Sequence, residues 1–226
     1  MAIDLDLDLD VRGEIVTVAI DRVVNAGYSG RDQDAVQDHI DELVADGIDA
    51  PDRVPTTYPV PPNVLLVDPG AIQVVGENTS GEAEFALLVT GDESYVVAAS
   101  DQTDRHLERD DVQQSKAIAP NVVSRKAWRF STVRDHWDEI EIRAWNTVDG
   151  ERQRYQETTL ESILEPETIL DLVRDRRGEP LDRTAVFSGT VPVLSGELQP
   201  GSRFEVELVD PVRDRRLAVG YDVETI

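Results

Sequence analysis

The chain has 226 residues, of which 46 are acidic and 22 basic, so its formal net charge at pH 7 is −24. Nucleic acids and anionic membrane surfaces repel a protein of this charge, and we expect neither as a partner. The absence of cysteine excludes disulfides, thiolate metal sites and a cysteine nucleophile.

Nearly all basic residues are arginines, because Lys116 and Lys126 are the only lysines. A dispersed excess of acids with few lysines resembles the proteins of salt-accumulating halophiles, in which salt screens the self-repulsion of the folded chain. With 40% hydrophobic residues, the chain differs from a disordered acidic segment. It shows neither an apolar leader nor a run of about 20 apolar residues, so we expect a soluble cytoplasmic protein.

The N-terminal part, residues 1–63, begins with two predicted strands. Residues 3–11 alternate aspartate with apolar residues, as in a strand with one buried face and one solvated carboxylate face. A turn at Arg12-Gly13 then leads to a second strand over residues 14–23.

A helix and a proline-rich segment complete this part. Residues 32–46 have helical periodicity and end before Gly47. The residues expected on its buried face are Val36, Ile40, Leu43 and Val44. Five prolines between residues 51 and 62 predict an extended connection, because proline disrupts helices and central strands.

Residues 64–226 have mainly β patterns. Strands are predicted over 64–67, 71–75, 82–89, 94–99, 140–147, 153–157, 185–187, 204–208 and 217–223. Gly91-Asp92 and Asp149-Gly150 are typical hairpin turns. A helical stretch over 160–176, with Pro166 as a potential break, stops at Gly178. We therefore expect a single α+β domain over 1–226, in which 64–226 form a β-rich core.

A pair of acids on one predicted strand is the first candidate for chemistry. Glu82 and Glu84 lie on the same face because side chains alternate along a strand, and they are about 7 Å apart along it. Carboxylate oxygens favour Mg²⁺, Mn²⁺ or Ca²⁺. The alternative is solvated charge, since a chain this acidic produces such pairs by chance.

Five segments in order strengthen the metal interpretation. They are Gly81-Glu-Ala-Glu-Phe-Ala-Leu-Leu-Val89, Ala99-Ser-Asp-Gln-Thr-Asp-Arg105, Gln114-Ser-Lys116, Gln156-Glu-Thr-Thr159 and Gly189-Thr190. Together they resemble the motifs of the fumarylacetoacetate hydrolase superfamily over residues 64 to 223. Three further segments, Tyr28-Ser-Gly-Arg-Asp32, Val74-Val-Gly-Glu77 and Phe187-Ser-Gly-Thr190, resemble the branch of this superfamily called domain of unknown function 2848.

The resemblance implies a fold like the C-terminal domain of fumarylacetoacetate hydrolase, and a homodimer. It implies Asp101 as a third ligand beside Glu82 and Glu84, with Mg²⁺ or Mn²⁺ as cofactor and Ca²⁺ as a further possibility. Lys116 matches the superfamily's active-site lysine. Its retention in an arginine-rich chain suits a compact ammonium that neutralises an enolate or donates a proton. Gln156, Gly189 and Thr190 match segments that meet the substrate.

A second group of candidates lies upstream. His39 and Glu42 are three residues apart on one helix face, so Glu42 could orient the imidazole while His39 activates water. They resemble the superfamily's His-x-x-Glu pair, although Gly30 stands nine residues before His39 where the family has about six. Val60 occupies a position where the family often has lysine, and Arg31 could replace that substrate contact.

The other two histidines, His106 and His136, are expected to be surface or packing residues. The expected function is a divalent-metal-dependent hydrolase that cleaves a C–C bond in a 2-oxo acid or 1,3-dicarbonyl compound such as an acylpyruvate. The cation would stabilise the developing enolate. One alternative is a lyase, hydratase, decarboxylase or isomerase on the same scaffold. Another is a binding protein without catalysis.

Overall fold

The computed structural model describes residues 2–9, 14–45, 50–178 and 180–226, and of His39 and Leu43 it describes the backbone only. Within these residues, fifteen strands form two sheets, accompanied by three α-helices and several short 3₁₀ turns. The strands are β1 (Ile3–Leu9), β2 (Glu14–Ile20), β3 (Arg22–Gly27), β4 (Thr56–Val60), β5 (Leu65–Val67), β6 (Gly70–Val74), β7 (Thr79–Thr90), β8 (Glu93–Asp104), β9 (Asn121–Val123), β10 (Lys126–Arg129), β11 (Glu141–Val148), β12 (Glu151–Thr159), β13 (Thr184–Phe187), β14 (Arg203–Asp210) and β15 (Arg215–Thr225). The helices are α1 (Gln33–Ala45), α2 (Val112–Ala117) and α3 (Pro166–Arg177). The predicted β-rich α+β fold is confirmed.

The first sheet is mixed and curled. Its strand order is β2-β1-β10-β8-β7-β13-β3-β4, and β9 pairs with both β8 and β5. Strands from its two ends share one cluster of buried residues, which includes Leu7 of β1 and Val60 of β4. Strand β2 also contacts β7, four places away in the order. The sheet therefore curls around this cluster and encloses it.

The second sheet packs on the outer face of the first. Its order is β12-β11-β14-β15-β6. The larger hydrophobic core lies between the sheets and contains Phe85 of β7, Phe204 of β14 and Trp137. Phe85 and Trp137 meet edge to face with ring centroids 4.8 Å apart. Gly81 of β7 has no side chain because a Cβ there would overlap the ring of Phe204.

The hairpin of β7 and β8 is the centre of the molecule, because each of its faces is covered by one of the two cores. Eleven of the twelve residues of β7 are buried. The predicted turn at Gly91-Asp92 joins the two strands, and the predicted turn at Asp149-Gly150 joins β11 to β12. Asp149 and Gly150 both have positive φ, 53° and 80°, as the tight hairpin turn requires.

Two predicted segments differ from the structure. The strand expected over 14–23 is split into β2 and β3, because β2 pairs with β1 whereas β3 pairs with β13 and β4 at the opposite end of the sheet. Part of the proline-rich connection forms β4, with Pro59 inside it. Strand β4 ends the order of the sheet, and an edge strand tolerates proline.

The helices agree with the sequence in part. α3 begins at Pro166 and ends at Gly178, which adopts the left-handed conformation with φ 65°. In α1, Ile40 is buried as predicted, but Val44 is 48% exposed, so the expected buried face was wrong at that position. The predicted turn at Arg12-Gly13 and the predicted end of α1 at Asp46 lie outside the described residues. No helix within the described residues is both long and apolar enough to cross a membrane.

Candidate metal centre

Three carboxylates converge on the inner face of the curled sheet. Glu82 of β7 lies directly opposite Asp101 of β8 in the antiparallel register, and Glu84 is two residues further along β7. Directly opposed residues, and residues two apart, point to the same face of a sheet. One ligand oxygen from each of the three lies within 4.8 Å of the others. The three predicted metal ligands are therefore together.

The cluster is almost closed to solvent. Asp101 is fully buried, Glu84 is 1% exposed and Glu82 is 8% exposed. The Oδ1 atom of Asp101 is a buried oxygen without a hydrogen-bond partner. A buried carboxylate oxygen left without a donor is unfavourable, and a cation would satisfy it. The donor set of three carboxylates with one unsatisfied oxygen fits a hard divalent cation.

Lys116 enters the cluster from α2. Asp111 caps this helix by accepting a hydrogen bond from the backbone N–H of Gln114 at 2.9 Å. The buried ammonium of Lys116 donates to Oδ2 of Asp101 at 2.6 Å and to Oε2 of Glu82 at 2.9 Å. The expectation that this lysine has a specific role now has a geometric basis, because it bridges two of the three acids.

Arg105 is a second cation in the site, and the sequence analysis gave it no role. Its Nη1 donates to Oε1 of Glu82 and to Oε2 of Glu108, both at 2.9 Å, and its Nε donates to Oγ of Ser80 at 2.7 Å. Arg105 is 8% exposed. It ends the Ala99–Arg105 motif, and that position was the signal that could have identified it.

The charges shift the three carboxyl groups in different directions. Burial raises the pKa of Glu84 well above its ordinary value, and the nearby charges of Asp101 and Glu82 add to the shift. Burial also raises the pKa of Asp101 to about 6 against the attraction of Lys116. Burial opposes ionisation of Glu82 as well, but Lys116 and Arg105 outweigh it and lower the pKa of Glu82 to about 2.

The loop after β13 holds the third acid from the other side. The backbone N–H of Gly189 donates to Oε2 of Glu84 at 2.9 Å. Gly189 has φ 80°, and a Cβ there would overlap the Oγ of Ser29, so this close approach requires glycine. Gly189, which matches a segment expected to meet the substrate, therefore binds a candidate metal ligand through its N–H.

Gln156 and Thr190, also predicted to meet the substrate, contact the backbone of β7. The side-chain oxygen of Gln156 accepts from the N–H of Ala83 at 3.0 Å, and the hydroxyl of Thr190 donates to the carbonyl of Ala83 at 3.0 Å. Both contacts fall on the residue between Glu82 and Glu84. These two side chains are therefore neighbours of the acids.

The upstream candidates have other surroundings. Arg31 forms a two-point pair with Asp138, at 2.9 and 2.7 Å, and donates from Nε to the carbonyl of Ile163. Glu42 lies on the exposed side of α1, and the side chain of His39 is outside the described part of the structure. The His39–Glu42 dyad stays a prediction, as does the role of Arg31.

Three further positions discussed in the sequence, Val60, His106 and His136, lie in the core or at the surface. Val60, where the family often has lysine, is 5% exposed inside the core that the curled sheet encloses. Nε2 of His136 forms a hydrogen bond of 3.0 Å with Oδ1 of the buried Asp210. His106 is exposed. These surroundings agree with surface or packing roles for the two histidines.

Two phenols lie beside the cluster. The pKa of Tyr28 is raised by burial and by the charge of Glu108, with Lys116 acting in the opposite direction. Burial raises the pKa of Tyr58 to about 12, with Tyr28 and Lys116 among its neighbours. Both rings are half-buried. Sequence reasoning assigned neither of them to the site.

The chain is similar to a known protein family. The profile of the family described as "Protein of unknown function (DUF2848)" matches residues 26–221. The comparison with curated proteins gives no significant match.

Several solved structures share the fold. A putative fumarylacetoacetate isomerase/hydrolase from Oleispira antarctica superposes with a TM-score of 0.66 at 16% identity, covering 97% of this chain and 99% of that chain. A 2-keto-3-deoxy-D-arabinonate dehydratase complexed with magnesium and 2,5-dioxopentanoate gives 0.61 at 18% identity, covering 92% and 74%. A 5-carboxymethyl-2-hydroxymuconate delta-isomerase from Mycobacterium smegmatis gives 0.59 at 16%, covering 92% and 80%. At these identities the likeness establishes a shared fold.

Proposed function

Since the chain belongs to the family described as "Protein of unknown function (DUF2848)" and has the fold of the fumarylacetoacetate hydrolase superfamily, we propose that it is a divalent-metal-dependent enzyme acting on a small oxo acid. The observation that carries this proposal is the buried cluster of Glu82, Glu84 and Asp101, with ligand oxygens within 4.8 Å of one another. These residues would hold Mg²⁺ or Mn²⁺, with Ca²⁺ as the third candidate. A cation bound there would act as a Lewis acid on the carbonyl group of a 2-oxo acid or 1,3-dicarbonyl compound.

The protein's own residues prepare the site for an anionic transition state. Lys116 places an ammonium between Glu82 and Asp101, so a fixed positive charge lies beside the position where a substrate oxyanion would develop. Arg105 keeps Glu82 ionised, and the N–H of Gly189 fixes the orientation of Glu84. In a hydrolytic reaction His39, oriented by Glu42, would activate the water.

Hydrolytic cleavage of a C–C bond in an acylpyruvate-like substrate is the first candidate reaction. The second candidate is a lyase, hydratase, decarboxylase or isomerase reaction. The structural relatives described as a dehydratase complexed with magnesium and as a delta-isomerase support it. Both candidates need the same metal and the same enolate-stabilising charge. They differ in whether water is consumed in cleaving a C–C bond.

Metal binding tests the site directly. Calorimetric titration with Mg²⁺ and Mn²⁺ in molar KCl would compare the wild type with Glu84→Gln and Asp101→Asn, which remove charge at nearly constant volume. Glu151→Gln is the matched control because Glu151 is exposed in β12. We expect binding by the wild type and the control, and a loss of at least tenfold in both site variants. Equal affinity in all four proteins would disprove the assigned ligands.

Product analysis separates the reactions. NMR spectra of mixtures with Mg²⁺ and either an acylpyruvate, oxaloacetate or a 2-oxo-3-deoxy sugar acid would show cleavage, decarboxylation or dehydration respectively. Cleavage to pyruvate and a carboxylic acid supports the hydrolase. Tight metal and oxo-acid binding without turnover would instead identify a binding protein.

We further propose that the protein is a cytoplasmic homodimer with a small-molecule oxo acid as its ligand. Both the dimer and the substrate class follow from the superfamily resemblance. Size-exclusion chromatography with light scattering in molar KCl should give about twice the chain mass of 25.1 kDa. A mass of one chain over the micromolar range would contradict the dimer.

A further inference from the structure

The backbone between the two glutamates lacks a strand neighbour on one side. Strand β13 pairs with β7 from Thr184 opposite Val89 to Phe187 opposite Ala86, and then ends. The chain continues as a loop, in which Ser188 still exchanges hydrogen bonds with Phe85. Ala83, between the two ligands, is beyond this pairing. Its buried N–H and C=O need partners from elsewhere.

Two side chains supply these partners in place of a strand. Oε1 of Gln156 accepts from the N–H of Ala83 at 3.0 Å, and Oγ1 of Thr190 donates to the carbonyl of Ala83 at 3.0 Å. The amide nitrogen of Gln156 also donates to Oγ1 of Thr190 at 2.9 Å and to the carbonyl of Val191. The three residues thus form a closed hydrogen-bonded group, which we call the Ala83 clamp (Ala83, Gln156 and Thr190).

A β-bulge directs Gln156 into the clamp. In the pairing of β11 with β12, Ala144 lies opposite Gln156 but Trp145 lies opposite Arg154, so Tyr155 is an extra residue. A bulge of this kind turns the side chain after it. Tyr155 and Gln156 are accordingly both buried, although neighbours on a regular strand would face opposite sides. Gln156 therefore reaches from the second sheet to the first.

We infer that Gln156 and Thr190 are positioning residues for the metal ligands, an inference that rests on the proposed function. Gln156 is 1% exposed and offers no surface to a substrate. Its hydrogen bond fixes the peptide that carries Glu82 on one side and Glu84 on the other. Partners that orient metal ligands typically change metal affinity by 10- to 100-fold when removed.

The test compares Gln156→Met, Thr190→Val and Thr190→Ser. Met matches the length of Gln without its acceptor, Val removes the hydroxyl at constant shape, and Ser restores it. The matched control is Asn146→Leu, because Asn146 is a buried amide on β11 that donates to the carbonyl of Gln199 at 2.8 Å, in the same sheet. All proteins would be titrated with Mn²⁺ in molar KCl, and unfolding curves would confirm that they are folded.

We expect Gln156→Met and Thr190→Val to weaken Mn²⁺ binding at least tenfold, and Thr190→Ser and Asn146→Leu to stay within threefold of the wild type. Wild-type affinity in both Gln156→Met and Thr190→Val overturns the inference while leaving the proposed metal site intact. If Gln156→Met fails to fold, Thr190→Val against Thr190→Ser decides, because position 190 is exposed.

Hydrogen exchange gives a readout without metal. In the metal-free protein, Gln156→Met should speed exchange of the Ala83 amide at least tenfold relative to amides of β14, since that amide loses its acceptor. Unchanged exchange overturns the clamp. If the wild type binds no metal, the proposed function is wrong. The role of the Ala83 clamp in metal binding is then wrong as well, whatever the exchange result.

Discussion

The buried carboxyl group of Glu84 is unfavourable for the stability of the metal-free protein but favourable for binding a metal ion. It is 1% exposed, and burial together with Asp101 and Glu82 raises its pKa well above the ordinary value. Ionising it without a cation is therefore costly. A divalent ion would remove that cost. A substitution that removes the charge of Glu84 should therefore raise the stability of the metal-free protein and lower its affinity for metal.

Glu84→Gln should stabilise the metal-free protein by about 2 kcal/mol while weakening metal binding at least tenfold, because Gln matches a neutral Glu in shape and has no charge to bury. Urea unfolding at pH 7 with chelator, and the Mn²⁺ titration, measure the two effects. The exposed Glu151→Gln controls for a general loss of negative charge. A destabilised metal-free variant would contradict this account.

Lys116→Met should have the opposite effect on the metal-free protein. Its ammonium is the shared partner of Glu82 and Asp101, and breaking a buried ion pair on one side costs about 3–5 kcal/mol. Added Mn²⁺ should recover more stability in this variant than in the wild type. Lys116→Arg should not restore the wild-type value, since the planar guanidinium cannot occupy the same point contact. Equal unfolding midpoints for wild type and Lys116→Met would contradict the prediction.

Sequence reasoning at this scale succeeded where chemistry is local. Alternation along one strand predicts that Glu82 and Glu84 share a face, whereas Asp101 came from the superfamily resemblance. Arg105 was missed because its pairing with Glu82 and Glu108 depends on the path of the chain after β8. The clamp contact of Gln156 was missed because the bulge at Tyr155 leaves no mark in the alternation of that strand.

At the scale of elements, hairpins were predictable, whereas the short strands β9 and β10 were not. The glycine turns at residues 91 and 150 predict β7–β8 and β11–β12 because turn and strands are contiguous in sequence. Strands β9 and β10 have three and four residues, and each pairs in parallel with a strand distant in sequence, β5 and β1 respectively. Their stability comes from distant partners, which a local pattern does not contain.

The turn between β14 and β15 depends on one buried acid. Oδ1 of Asp210 accepts from the N–H groups of Val212 and Arg213, both at 3.1 Å, and contacts His136, while Oδ2 accepts from Nε of Arg215 at 2.8 Å. Burial opposes the charged form, but the hydrogen bonds from Arg215 and His136 outweigh it and lower the pKa of Asp210.

Asp210→Asn should lower the free energy of unfolding at pH 7 by about 2–3 kcal/mol, the range for lost hydrogen bonds to a charged group. A carboxyl group with a lowered folded pKa stabilises the protein above its unfolded pKa, and this contribution is lost as pH falls through the folded pKa. The gap between wild type and variant should therefore close on acidification below about pH 4. Urea curves between pH 7 and pH 3 measure it. A gap that stays constant would contradict the assignment.

At the scale of the whole molecule, many charged residues lie on the surface, whereas buried hydrophobic residues stabilise the fold. The outer face of the second sheet carries cross-strand pairs such as Arg152 with Glu205 and Arg203 with Asp222, each at 2.7 Å. With 46 acids and 22 basic residues, such pairing leaves a large acidic excess. That excess was readable from composition, but the arrangement of the pairs was not, because it follows from strand order.

Raising KCl from 0.1 M to 2 M should stabilise the protein by about 2 kcal/mol, or roughly 4–8 °C in unfolding temperature for a chain of this size. Most of the gain should come below about 0.5 M, where the screening length changes fastest. Calorimetric scans over a KCl series measure the curve. Sucrose serves as the uncharged control, and an unfolding temperature independent of salt would contradict the halophilic interpretation of the composition.

The register of the β7–β8 hairpin restricts how this chain can change its length. Glu82 faces Asp101 because the number of residues between them keeps both on one side of the sheet. A single residue inserted in β8 between Glu93 and Asp101 would turn Asp101 towards the core of Phe85, since a shift of one residue moves side chains to the other face. The same insertion between Gly91 and Asp92 would only enlarge a loop. A change of length at the turn therefore leaves the three carboxylates on one face, whereas a change of length within the strands separates them.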